Sequence, residues 1–138
     1  MFVHHFTVEE ALAMLPVVRD SLDQIRARLR EHQALRDTLH TSLAGAAETE
    51  TAAPQHAALE AMHQEISAQL AAVHALGVHV KNLDPFLLDF PALLAGRTVL
   101  LCWKEGEDGI THFHTIEGGF NARKPIGQVK DFGASVPQ

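Results

Sequence analysis

The stretch best equipped for chemistry is HFHTIEGGFNARKPI, residues 112–126. His112 and His114 alternate with Phe113, so on a strand both imidazoles point to one face. Two such histidines can begin a site for zinc or another divalent ion, which needs a third ligand and usually a fourth. Glu107 is the expected third ligand, with Glu105 and Asp89 as the other candidates. The plainer reading is a half-buried strand with His114 hydrogen-bonded to backbone, because Ile110 and Ile116 fall on the same face.

A second chemistry is anion binding. Gly118 and Gly119 permit positive φ, so their amides can form a nest for a phosphate or carboxylate. Arg123 follows them, and Lys81 belongs to the same region of the chain. The expected ligand-binding set is therefore His114, Arg123, Lys81, Gly118 and Gly119. An ordinary Gly-Gly turn with Arg123 paired to Asp89 or Glu117 accounts for the same residues without a ligand.

Other reactive side chains read as structural. Glu105, Glu107 and Asp108 cluster in what looks like a solvated turn. Cys102, in LLCW, reads as a buried inert thiol, and Trp103 beside it as core. Neither a GxSxG nucleophile turn nor a GxxxxGK phosphate loop is present. No catalytic residue is assigned, and the chain leans away from enzymatic function.

The elements that must position these residues fall into two kinds. FTVEEALAMLPVVRD opens a helix: Thr7 can cap it, Glu10 can complete a capping box, and Phe6 can staple against Ala11. Pro16 sits inside that helix and is expected to kink it. Leu15, Val18, Leu22, Ile25 and Leu29 then form a heptad seam, giving a first helix over 7–43. The small, polar residues 44–52 read as a linker. A second helix over 53–76 carries Leu59, Met62, Ile66, Leu70 and Val73, and Gly77 suits the position just past its end. One short connection between two apolar helices implies an antiparallel pair.

From Val78 the pattern becomes β. VHVKNLD, PFLLDFP, RTVLLCW and ITHFHTI are short, rich in strand formers and separated by turn residues, which implies a meander of three to four strands. The fold class is α+β: a long helical hairpin followed by a small antiparallel sheet over 78–126. Residues 1–126 read as one domain, and 127–138 as a flexible tail.

Helices of this length, roughly 36–42 Å at about 1.5 Å per residue, exceed a compact body whose radius of gyration is about 14 Å. Their seam is expected to need a second copy or a partner helix, which makes a homodimer the leading expectation. A net charge of −6 opposes general nucleic-acid binding. The acidity lies in the helical half, where residues 7–76 hold five Arg against ten acidic groups; residues 77–138 hold six basic and seven acidic. No membrane span or secretory core is visible, and the single cysteine fits a cytoplasmic protein. Ten histidines spread along the chain imply general pH sensitivity near six rather than a metal centre by number alone.

The run LLDFPALLAGRTVLLCW, followed by GE, HFH, GGF and RKPI, resembles a bacterial family, domain-of-unknown-function family 2203. The opening FTVEEALAMLP is similar as well, so the resemblance covers roughly residues 6–126. Asp89, Trp103, Glu107, His114, Phe120 and Arg123 are among the positions that carry it. Some members bear a DivIVA-like label resting on the coiled-coil character of their helices. The basic amphipathic membrane segment of DivIVA proteins has no counterpart here. The resemblance implies no catalytic or binding role for any residue. The expected function is a self-associating or partner-binding module built on the hairpin, with a small-anion or metal site in the head, around His112, His114, Glu107 and Arg123, as the alternative.

Overall fold

A computed structural model describes residues 4–45 and 49–128. It contains two helices, α1 (Val8–Gly45) and α2 (Thr49–Ala75). Five strands follow: β1 (His79–Leu83), β2 (Phe86–Leu94), β3 (Arg97–Lys104), β4 (His112–Thr115) and β5 (Lys124–Pro125). The α+β class holds. The domain expected over 1–126 is built as two compact units, one of Met1–Arg19 with Val73–Gln138 and one of Asp20–Ala72.

The capping box forms. The Thr7 amide donates to Glu10 Oε1 and the Glu10 amide to Thr7 Oγ1, each at 2.9 Å. Phe6 and Ala11, the expected staple, are both buried. Pro16 lies inside α1, which runs from Val8 to Gly45 without a break. Both helices run further into the expected linker than its composition suggests, because alanine and glutamate favour helix even without an apolar pattern. Residues 46–48, and the expected tail beyond Gln128, lie outside the described residues.

Within the Asp20–Ala72 unit the helices form the expected hairpin. Arg28 reaches Glu65 at 2.8 Å and also pairs with Glu31 on its own helix. Arg28 and Glu65 lie nearly equally far along the chain from the 46–48 connection, as antiparallel helices require. Leu22, Ile25, Leu39, Met62 and Ile66 are buried. Among the described residues of this unit, no large hydrophobic side chain is exposed.

The sheet is an antiparallel meander in the order β1-β2-β3-β4-β5. The fifth strand corrects the expected three to four: two residues, one of them proline, are too few to show a period. Pro91 would be unwelcome in a central strand because it lacks an amide hydrogen. Here β1 reaches only as far as Asp89 along β2. The Pro91 carbonyl instead accepts from the Phe6 amide at 2.6 Å. A residue's amide and carbonyl face the same edge, so the missing donor points away from β3. The β2–β3 hairpin turns on Ala95 and Gly96, both at positive φ (51° and 81°), as a tight two-residue hairpin demands.

Alternation gives the sheet two distinct faces. Leu88, Phe90, Leu101, Trp103 and Phe113 occupy one and are buried. Phe6 packs edge-on against Phe90, centroids 5.4 Å apart, and the Arg19 guanidinium lies 5.3 Å from the Trp103 ring centre. The opposite face carries the polar residues.

Candidate functional site

Strand register assembles that second face. His79 stands opposite Asp89, Asp89 opposite Cys102, and Cys102 opposite His112, while Leu100 faces His114 one step along. Register irregularity between Val80 and Asn82 brackets Lys81 and leaves it at the exposed edge of this row. Residues distant in sequence become neighbours because consecutive strands pair, and cross-strand partners point to the same side of a sheet.

Asp89 is the centre of the arrangement. It is 2% exposed and His114 is 5% exposed. His114 Nε2 lies 3.2 Å from Asp89 Oδ1, and Lys81 Nζ lies 3.9 Å from Oδ2. The Cys102 sulfur lies within 4.8 Å of an Asp89 carboxylate oxygen and of a His114 ring nitrogen. Burial, reinforced by the Asp89 charge, pushes the Cys102 thiol up to about 12, so the sulfur holds its proton at neutral pH. At His79 desolvation first, and then the Lys81 charge, lower the pKa below its ordinary value.

The other ring nitrogen of His114 fixes the chemistry of the pair. Nδ1 is 2.8 Å from the Thr115 carbonyl oxygen, which can only accept, so Nδ1 carries a hydrogen. Nε2 then faces a carboxylate oxygen, and two lone pairs cannot share that space. A proton or a cation must sit between them.

Above this cluster opens a cavity of about 490 Å³. Its polar wall comprises His79, Lys81, Asp89 and His114; its apolar wall comprises Leu87, Leu100, Ile116 and Phe120. A concave, mostly apolar pocket with a few convergent polar groups is the usual form of a small-molecule site.

The sequence-derived candidates separate. Lys81, His114 and Gly119 line this cavity. Arg123 instead donates to Glu107 Oε2 at 2.6 Å and stacks 4.6 Å from the Phe120 ring centre. Glu107 is further occupied by the Lys104 amide, at 2.9 Å. His112 engages the Thr111 hydroxyl at 2.8 Å. The expected metal set of His112, His114 and Glu107 therefore does not converge. Among the described residues the donors that do converge are Asp89, Cys102 and His114, within 4.8 Å of one another.

The glycine nest does not form either. The Gly118 amide donates to Thr115 Oγ1 at 3.0 Å and the Gly119 amide to the Thr115 carbonyl at 3.4 Å, so both are spent inside the turn. Glu105 likewise serves the fold, its carboxylate accepting from the Phe86 amide at 3.0 Å. Sequence reasoning set Cys102 aside because its neighbours are apolar. The signal available was parity: Leu100, Cys102 and Lys104 alternate onto the face opposite the buried Leu101 and Trp103.

Fold and site together define a small α+β protein in which a β-meander carries a ligand-sized cavity over a buried Asp-His-Cys cluster. The chain belongs to the family described as Uncharacterized conserved protein (DUF2203), whose model matches residues 4–126. No curated protein and no solved structure matches it.

Proposed function

We propose that the protein is a binding module whose β head takes a small organic anion in the cavity above Asp89 and His114. The carrying observation is the position of that pair: a buried carboxylate and imidazole lining an open cavity rather than closed within the core. A buried carboxylate–imidazole pair is a poor stabiliser compared with apolar packing, so its place on a cavity wall favours a role in recognition. Lys81, half-exposed at the edge of the row, supplies the cation for the ligand's acidic group. Leu87, Leu100, Ile116 and Phe120 suit an apolar body.

The test is a thermal-shift panel of short-chain and aromatic carboxylates and phosphomonoesters with the full chain. A ligand at a hundredfold its Kd stabilises by about 2.7 kcal/mol, an easily measured rise. At least one class should raise Tm, and Lys81→Ala should abolish the rise while lowering the unliganded Tm only slightly, since its contact with Asp89 is long and half-exposed. No shift across the panel, or an equal shift in Lys81→Ala, overturns the reading.

Self-association through the helical hairpin is a second reading. It is favoured by helices of 38 and 27 residues whose leucines Leu29, Leu35, Leu59 and Leu70 remain half-buried. Sedimentation at micromolar protein tests it, and a single species of monomer mass removes it. No helix among the described residues is long and apolar enough to cross a membrane. The lone buried thiol suits a reducing, cytoplasmic setting.

A further inference from the structure

We infer that Asp89, Cys102 and His114 form a binding site for one zinc ion at the floor of the cavity. The inference rests on reading that cavity as the working site of the head, and it places a cation where the Asp89–His114 geometry requires either a proton or a cation.

Three observations converge. The first is tautomeric. With Nδ1 donating to the Thr115 carbonyl, His114 presents Nε2 as a lone pair, and a backbone carbonyl on the far nitrogen is how zinc-binding imidazoles are held. The second is spatial. Zinc bonds nitrogen and oxygen at about 2.0–2.2 Å and sulfur at about 2.3 Å, so donors on a tetrahedral ion stand roughly 3.3–3.6 Å apart. His114 Nε2 and Asp89 Oδ1 are 3.2 Å apart, and all three donors lie within 4.8 Å. The contraction needed is within the reach of small side-chain rotations.

The third observation is the donor set. One thiol, one imidazole and one carboxylate, all buried, match the mixed sulfur, nitrogen and oxygen ligation of zinc rather than the all-oxygen shells of calcium or magnesium. Binding converts the Cys102 thiol to a thiolate and displaces the proton otherwise held between Asp89 and His114; both protons go to solvent, and Asp89 binds as the carboxylate. Two negative ligands then balance the dication. Among the described residues only three protein donors converge, and two of them line the cavity, so the fourth position opens toward the space where the small anion binds. Such an ion would hold the ligand's acidic group directly, with Lys81 beside it.

The experiment is a titration of chelator-stripped full-length protein with zinc alone, in competition with a chromophoric chelator. One equivalent should bind per chain. Cobalt(II) in place of zinc should give the thiolate-to-metal charge-transfer absorption that only a cysteine ligand produces. Cys102→Ser and His114→Gln should each weaken zinc more than about 100-fold, beyond the loss usual for an outer-shell partner. The cobalt spectrum is read on the unaltered chain, so it stands even where a variant fails to fold. Absence of one tight equivalent, or cobalt binding without the thiolate band, overturns the inference and shows a proton between Asp89 and His114. Zinc binding without any shift in the anion panel keeps the metal centre and removes the anion-binding reading. An anion shift in metal-free protein that shows no zinc binding does the reverse.

Discussion

His114 faces Asp89 across 3.2 Å in a part of the sheet that water scarcely reaches, while the Thr115 carbonyl pins the opposite side of its ring. That pairing is costly to break from one side. Losing one partner of a buried charged pair typically costs about 3–5 kcal/mol, whereas replacing both with apolar groups is often neutral. In the presence of a chelator, His114→Leu should therefore lower the urea midpoint strongly, and Asp89→Leu/His114→Leu should recover much of the loss. Equal, additive losses from the two substitutions would show that the groups act independently.

In the metal-free folded protein Cys102 should be chemically silent. Its thiol is held up to about 12 by burial and by Asp89, against an ordinary value of 9.0. Between these values the unfolded chain gives up the proton while the folded chain keeps it. The stabilising contribution is therefore complete below about pH 9 and declines as pH rises toward 12. Comparing Cys102→Ala with the parent across that range isolates the effect, since the parent should lose stability more steeply. At pH 8, thiol reagents should label metal-free protein only on unfolding.

Ala95 carries a backbone angle that suits other residues better. At φ 51° its Cβ crowds the backbone, a conformation that costs an L residue roughly 1–2 kcal/mol. Ala95→Asn places at this hairpin the residue other than glycine that best tolerates the angle. Denaturant unfolding should show a gain of about 0.5–1 kcal/mol with an unchanged slope.

Thr7→Ala tests the helix start. It removes the hydroxyl that accepts the Glu10 amide at 2.9 Å, and loss of such a cap costs about 0.5–2 kcal/mol. Hydrogen exchange should rise in the first turn of α1, while the sheet amides keep their protection.

How much was legible follows from how local each feature is. The Thr7–Glu10 box spans four residues, and the AG and EGEDG turns mark their hairpins directly, so α1 and three to four strands were readable. The start of α2 at Thr49 was not, because TETAAP lacks an apolar rhythm and its helix rests on propensity and context. His114 was picked out by its spacing from His112, which fixes a face but not a partner. Asp89 was only one of three carboxylates considered, and what selects it is the pairing of Asp89 with Cys102 and of Leu100 with His114. A charged residue within LLDFP was the clue that a buried group awaited a counterpart. Glu107 was misassigned because proximity in sequence to His112 says nothing of Arg123, which claims its carboxylate.

The Phe6 amide donates to the Pro91 carbonyl where β1 leaves off. The front of the chain is thus stitched to the sheet margin, and its aromatic ring closes against Phe90. Trimming those first residues, or crowding them with a fused label, would fray the very strand that holds Asp89 in place.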